Sequence, residues 1–195
     1  MAKQPLNIFL SASIPLPERD PKYIETADVI AIRDSVIALA STVLPHYNLI
    51  FGGHPSITAL IAHVLTHSNI DVNDHVTLYQ SAFFYDQFPT ENKYVPHKEY
   101  TPNLGDRTNS LNEMRRAMIE DNIYSAAFFI GGMEGVEDEF LAFTKAHPDT
   151  VVFPVASTGA AAKILFDKNP GAYESRLLTD LAYASLFKDL LNLNF

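Results

Sequence analysis

Cysteine is absent from the chain of 195 residues, and its absence excludes several kinds of chemistry at once. There can be no disulfide, no thiolate nucleophile and no zinc site with thiolate ligands, which fits a reducing compartment. The seven histidines do not replace it, because none is spaced with acids as a metal site requires. His63 and His67 lie four residues apart on a predicted helix but lack a third ligand. We therefore expect no metal and no cofactor.

Basic residues are scarce, since 14 lysines and arginines face 23 acids and the formal net charge is −9. This balance disfavours a broad nucleic-acid-binding face and anionic membranes, but leaves room for one small basic pocket. The most apolar stretch, "ADVIAIRDSVIALASTVL", carries Arg33 and Asp34 in its middle, whereas a membrane span needs about 18 uninterrupted apolar residues. The first apolar run is too short for a signal peptide before Pro15. We expect a cytoplasmic protein that binds neither nucleic acid nor membrane.

Short apolar runs alternate with helical patterns, as in parallel strands joined by crossover helices. No repeat or linker interrupts them, so we expect a single domain over residues 1–195. The predicted fold is a three-layer, doubly wound α/β fold whose mainly parallel sheet has at least five strands. The predicted strands are Asn7–Ser13, Tyr47–Phe51, His75–Gln80, Ala126–Ile130 and Thr150–Val155. The predicted helices are Ala27–Leu44, one that begins at Pro55, one from a capping box at Ser110–Glu113 to Asp121, an acidic one that ends near Ala146, one after "STG", and Ala172–Leu191.

The stretch Ser81–Arg107 shows no periodicity, although it contains six aromatic residues and three prolines. A loop of this length in a compact domain is usually functional. The rings of Phe83–Tyr85 either stack on a base or anchor the loop to the core.

Glycine is sparse, with eight in the chain, yet two pairs stand where a predicted strand meets the next helix. The pairs are Gly52–Gly53 and Gly131–Gly132. Such turns meet at the carboxyl edge of a parallel sheet, where ligands bind, and a residue without Cβ lets backbone amides approach a phosphate. A purely steric role for the glycines remains the alternative. The acids that follow Gly132 favour a helix start but would repel a phosphate, so at least one should face sugar hydroxyls or a reaction centre.

The stretch "EMRRAMIEDNIYSAAFFIGGMEGVEDEF" resembles the lonely-guy phosphoribohydrolases and their relatives in the SLOG superfamily, which are Rossmann-like proteins. Those enzymes carry a basic pair on a helix, then a strand, then a turn of the form Gly-Gly-x-Gly-Thr-x-x-Glu. Arg115–Arg116 stand in the place of the basic pair, and Gly131–Gly135 in the place of the turn. "LIFGGHPSITALI" is similar to the upstream turn of the family, with His54 where a third glycine is usual, and "IFLSAS" is similar to its first strand and serine loop.

The resemblance implies that Arg115 and Glu139 take part in cleaving the N-glycosidic bond of a nucleotide, if Glu134 is an insertion; without the insertion the acid is Asp138. Val136 stands where the family has a threonine that holds the phosphate. This change and His54 favour the sensor branch of the superfamily, which includes domains of bacterial antiphage systems. Those domains bind linear or cyclic ADP-ribose derivatives without hydrolysing them. Relatives are commonly dimers, so a homodimer is expected.

The favoured function is the binding of a nucleotide-derived small molecule of the ADP-ribose or cyclic ADP-ribose type. The expected ligand-binding residues are Ser11, Ser13, Gly52, Gly53, His54, Arg115, Gly131, Gly132, Met133, Glu134, Gly135 and Glu139. An N-glycoside hydrolase that uses Arg115 and Glu139 is the alternative, so whether the protein is an enzyme stays open. A third possibility is a structural module whose leucine-rich C-terminal helix pairs with its copy. Two of these residues also have a simpler interpretation. Arg115 would form a surface ion pair with Glu120 or Asp121, and Glu139 would lie on a solvated helix face.

Overall fold

The computed structural model describes residues 6–44, 46–68 and 73–193. Within these ranges one sheet holds six parallel strands in the order β4-β3-β2-β1-β5-β6. The strands are β1 (Asn7–Ser13), β2 (Asn48–Gly52), β3 (Val76–Ser81), β4 (His97–Thr101), β5 (Tyr124–Gly131) and β6 (Val151–Val155). The five predicted strands and the parallel sheet are confirmed. Residues 1–5 and 194–195 of the predicted domain lie outside the described ranges.

Helices cover both faces of the sheet, which confirms the three-layer, doubly wound prediction. The helices are α1 (Pro21–Ile24), α2 (Val29–Val43), α3 (Pro55–His67), α4 (Arg107–Glu120), α5 (Glu134–Ala146), α6 (Ala160–Lys168), α7 (Arg176–Thr179) and α8 (Tyr183–Leu190). Ile8 and Leu10 of β1 point into the core under α2, α3 and α8, while Phe9 points into the core under α4, α5 and α6. This alternation follows from the two-residue period of a strand. None of the described helices combines the length and hydropathy needed to cross a bilayer.

The strand order places β1 between β2 and β5. The chain moves outward from β1 to β4 and then returns to β5 on the other side of β1, so the direction of winding reverses there. Such a reversal opens a crevice beyond the carboxyl ends of the strands. The turns that follow β1, β2 and β5 therefore face a common space.

An aromatic cluster fixes helix α5 over this part of the sheet. The ring of Phe143, which is fully buried, stacks on Phe9 with centroids 4.9 Å apart and meets Tyr124 at 5.3 Å. Phe129 of β5 lies against Phe140, one turn earlier in α5, at 5.0 Å. Offset and edge-to-face pairs of this kind add about 0.5–1.5 kcal/mol each beyond the area they bury. The start of α5 is consequently held at the carboxyl ends of β1 and β5.

Three local predictions are wrong: the irregular stretch, the capping box and the single C-terminal helix. The stretch Ser81–Arg107 is not irregular throughout, because it contains strand β4 and two short 3₁₀ helices, Ala82–Gln87 and Thr90–Tyr94. The capping box does not begin α4: Asp106 caps the helix by accepting from the amide of Asn109 at 2.9 Å. Ser110 lies inside α4, buried, and its Oγ accepts from the amide of Leu104.

The C-terminal segment is broken into a 3₁₀ turn, α7 and α8 rather than forming one helix. Asp180 ends α7, and its Oδ1 accepts from the amide of Ala182 at 2.8 Å. Leu177 and Leu186 are fully buried in the chain's own core, whereas Leu178 and Leu181 are exposed. Some of the leucines that would contact a second copy in a structural module are therefore buried within the chain itself.

Candidate functional site

A cavity of about 550 Å³ lies over the carboxyl ends of the central strands. The loop after β1, the turn after β2, the start of α5 and the first half of α4 all contribute to its wall. Nine of the predicted ligand-binding residues line it: Ser13, Gly52, Gly53, His54, Arg115, Met133, Glu134, Gly135 and Glu139. Its volume falls in the range of about 300–1,000 Å³ that is typical of small-molecule sites. We call this space the cleft.

Glu139 connects two elements of the cleft through its carboxylate. Its Oε2 accepts a hydrogen bond of 2.6 Å from the hydroxyl of Ser11, and its Oε1 accepts one of 3.3 Å from Nε of Arg115. The side chains of Arg115 and Glu139 are only 18% and 15% exposed. Ser11 itself is buried and does not line the cleft, so it acts on the cleft through Glu139.

Burial raises the pKa of Glu139, although the charge of Arg115 and the hydrogen bonds from Ser11 and Arg115 oppose that rise. Desolvation disfavours the charged form of a carboxyl group, and here it outweighs the nearby guanidinium. A buried acid whose pKa is raised can hold or release a proton closer to neutral pH than a surface acid. The pKa of Glu139 is shifted in that direction.

Arg115 also contacts Asp138, from Nη1 to Oδ2 at 3.4 Å, but the side chain of Asp138 is 60% exposed. Both acids left open by the sequence thus meet the same arginine, and Glu139 is the embedded one. Arg116 makes the surface ion pairs, with Glu113 at 2.9 Å and Asp121 at 3.0 Å. Of the two neighbouring arginines, Arg115 is the one that belongs to the cleft.

Gly135 lets Arg115 lie against the first turn of α5. A Cβ at this position would stand 3.0 Å from Nη2 of Arg115, which is tighter than ordinary van der Waals contact. The amides in the first turn of a helix have no partner within the helix and carry a partial positive charge. Glu134 and Gly135 belong to this first turn, and both residues line the cleft.

The backbone amides of Gly131 and Gly132 donate hydrogen bonds within the protein. The amide of Gly131 donates to Oγ1 of Thr158 and that of Gly132 to the carbonyl of Ser13. Both residues have positive φ, 56° and 90°, and neither lines the cleft. A Cβ on Gly132 would overlap the side chain of Val136. The turn is therefore glycine for steric reasons.

The turn after β6 also packs against the protein's own backbone. Gly159, at φ 71°, leaves no room for a Cβ against the carbonyl of Thr26, and the amide of Ala160 donates to Oγ1 of Thr26 at 2.9 Å. This contact fastens the start of α6 to the loop before α2. The "STG" turn does not line the cleft.

His54 precedes α3 and does not cap it with its side chain. Its Nδ1 lies 2.8 Å from Oγ of Ser56, and burial lowers the pKa of the imidazole. A histidine with a depressed pKa is neutral at pH 7. His54 can therefore offer the cleft a hydrogen-bonding nitrogen, but not a positive charge.

Sequence reasoning missed two arginines at the cleft. Among the described residues, Arg33, Arg115, Arg116 and Arg176 form ion pairs with carboxylates, whereas Arg19 and Arg107 form none. Arg19 and Arg107 both line the cleft. The sequence carries only a faint signal for them, since one lies in a proline-rich loop and the other at the end of the aromatic stretch.

A second cavity, of about 240 Å³, adjoins the cleft. The two share Gly53, His54, Arg107, Leu111 and Met114 as lining residues. The rest of its wall comes from the end of β3, the residues that follow it and the start of α3; it is formed by Pro55, Gln80, Ser81, Phe84, Gln87, Phe88 and Pro89. We call it the aromatic chamber.

The fold defines a Rossmann-like α/β protein with a cleft at its winding reversal. Residues 22–191 match the SLOG cluster3 family, and the chain belongs to that family. The family resemblance seen in the sequence is thereby confirmed at the level of SLOG. No curated protein sequence matches the chain.

Proposed function

We propose that the cleft binds a nucleotide-derived small molecule of the linear or cyclic ADP-ribose type. The observation that carries the proposal is the placement of the unpaired arginines. In a protein of net charge −9, the arginines without a carboxylate partner among the described residues, Arg19 and Arg107, both face this cavity. Guanidinium groups bind phosphate oxygens through paired, charge-assisted hydrogen bonds.

The acids of the cleft complement the sugar part of such a ligand. Glu134, Asp138 and Glu139 line the same cavity as the arginines. Carboxylates accept hydrogen bonds from hydroxyl groups, and an unbound acid at a phosphate site would repel it. A ligand that carries both phosphates and ribose hydroxyls matches both sets of groups. Membership of the SLOG superfamily supports a nucleotide-related ligand.

The test is a binding measurement with defined ligands. ADP-ribose, cyclic ADP-ribose, NAD and AMP are titrated into the protein by calorimetry, with thermal shift as a second readout. We expect Arg107→Ala to weaken binding of ADP-ribose by about tenfold or more, the value of one charge-assisted contact. The control is Arg116→Ala, which removes an arginine of the same helix that pairs on the surface. Equal affinity in both variants, or no binding to the wild type, would refute the proposal.

An N-glycoside hydrolase remains the second candidate, and the environment of Glu139 favours it. Glu139, oriented by Ser11 and paired with Arg115, can donate a proton to the leaving base when it is neutral, and as a carboxylate it can stabilise the positively charged sugar. Incubation with AMP and NAD followed by chromatography detects the free base. Release of the free base by the wild type but not by Glu139→Gln would support the hydrolase. A thermal shift after which the ligand is recovered intact would support binding without hydrolysis.

We further propose that the protein is a receptor for such a signal in bacterial antiphage defence, and that it acts as a homodimer. His54 and Val136, which stand where hydrolytic relatives have glycine and threonine, support binding without turnover. The plating efficiency of phage on cells that carry the wild type or Arg107→Ala tests the first point. Light scattering after gel filtration tests the second, with and without ADP-ribose.

A further inference from the structure

The cleft and the aromatic chamber share a wall, and Arg107 is part of it. The chamber, at about 240 Å³, is smaller than the range of about 300–1,000 Å³ of whole-ligand sites. It is therefore sized for one portion of a molecule whose remainder lies in the cleft. Because Arg107 lines both cavities, a negative charge on that molecule would sit where the two cavities meet.

The wall of the chamber has the chemistry of a nucleobase site. Phe84 and Phe88 both line it and are half-buried, and Phe88 is held by a stacked contact with Tyr100 at 5.7 Å. An aromatic ring accepts any base by stacking, because every base has a π face. Phe83 and Tyr85 do not line the chamber.

Gln80 supplies an oriented hydrogen-bond donor to the chamber. It is 4% exposed, and its Oε1 accepts a hydrogen bond of 2.6 Å from Nδ2 of Asn92. Nε2 is therefore the amide atom that remains to donate, and it lies over Gly53, where a Cβ would stand only 2.5 Å from it. The second glycine of the upstream pair thus makes room for this amide.

We propose that the aromatic chamber binds the base of the ligand, with Gln80 donating to a ring nitrogen or carbonyl, and that Arg107 holds the adjoining phosphate. This inference rests on the proposed function, since it orients the ligand within that same site. The base lies on the side of β3, and the ribose furthest from the base lies among the acids of the cleft. The preferred ligand is then a nucleoside diphosphate bearing a second sugar, rather than a mononucleotide.

The experiment compares ADP-ribose with ribose 5-phosphate, which lacks the base, by calorimetry on the full chain. We expect Phe84→Ala and Phe88→Leu to weaken ADP-ribose binding by about five- to hundredfold, the value of a lost stacking contact. Phe88→Leu keeps apolar volume at a half-buried site, so it separates stacking from folding. Binding of ribose 5-phosphate should be unchanged in both variants and lowered in Arg107→Ala. The matched control is Tyr94→Ala, an exposed aromatic residue of the same segment that does not line the chamber.

A spectroscopic readout locates the base directly. In saturation-transfer NMR, the adenine protons of ADP-ribose should receive magnetisation from the protein more strongly than the ribose protons, and Phe84→Ala should remove that difference. If the wild type binds ADP-ribose and both phenylalanine variants bind it equally well, the base assignment is wrong while the proposed function stands. If the wild type binds no nucleotide, both fail.

Discussion

Replacement of Gly135 by alanine should make the protein more stable and its cleft less able to bind. Gly135 lies in the first turn of α5 with ordinary helical φ, so alanine fits the backbone and lowers the entropy of the unfolded chain. Such a change stabilises a protein by about 0.4–1 kcal/mol. The new Cβ would stand 3.0 Å from Nη2 of Arg115, the far end of a flexible side chain, which must shift by a few tenths of an ångström.

That shift matters because the contacts of Arg115 are already long. Its hydrogen bonds to Glu139 and Asp138 measure 3.3 and 3.4 Å, close to the limit for such bonds. The pair with Asp138 is largely exposed and contributes little, and the pair with Glu139 is shifted rather than removed, so the change in both offsets only part of the gain from alanine. For a domain of this size each kcal/mol changes Tm by about 2–4 °C, so we expect Tm to rise by about 1–3 °C. Displacement of the guanidinium should weaken ADP-ribose binding by about tenfold.

Thermal melting and calorimetric titration measure the two effects on the same preparation. Gly171→Ala is the matched control, because nothing lies within 4 Å of a Cβ at that glycine and its φ is not positive. It should gain stability and bind ADP-ribose like the wild type. A fall in Tm of Gly135→Ala, or binding that matches the control, would show that Arg115 does not depend on this glycine.

Three further predictions concern the same elements. Because the folded protein raises the pKa of Glu139, the carboxyl stabilises the fold below its ordinary pKa of 4.5 and loses that contribution as pH rises through the folded value. The Tm of Glu139→Gln relative to wild type should therefore rise between pH 4 and pH 8; a constant difference would contradict the assignment. Gly132→Ala, at φ 90° against Val136, should lower the free energy of unfolding in urea by at least about 1–3 kcal/mol, and an unchanged midpoint would refute the steric role. Thr158→Val leaves the buried amide of Gly131 without an acceptor and should cost about 1–3 kcal/mol in the same assay; a neutral result would mean that the turn finds another partner.

The sequence predicted the central strands because their apolar runs are long enough to be recognised without tertiary information. It did not predict β4, "HKEYT", because an edge strand with mostly exposed side chains has no apolar pattern. The pattern at Ser110–Glu113 misled because the same residue types occur inside a helix that Asp106 already caps. In each case the missing information was which side of the segment the rest of the chain covers.

For the site, Arg115 and Glu139 were expected together from the family resemblance, and the structure joins them by a hydrogen bond. Arg19 and Arg107 were not expected. Whether an arginine has a carboxylate neighbour is a property of the folded chain, and their sequence neighbourhoods include acids that do not pair with them. The use of the Gly131 and Gly132 amides within the protein was equally invisible, because it depends on Thr158 and Ser13 reaching the same turn.

The carboxylate partners of Arg115 have a consequence for the direction in which a guest can enter. Because Asp138 and Glu139 already pair with that arginine, its end of the cleft offers no unpaired positive charge, while Arg107, about two turns earlier in α4, forms no ion pair among the described residues. A molecule with a charged middle and a neutral, hydroxyl-rich tail can therefore bind in one orientation only, with the tail near Arg115. We expect a compound that carries a phosphate at both ends to bind weakly, even if its shape fits the cleft.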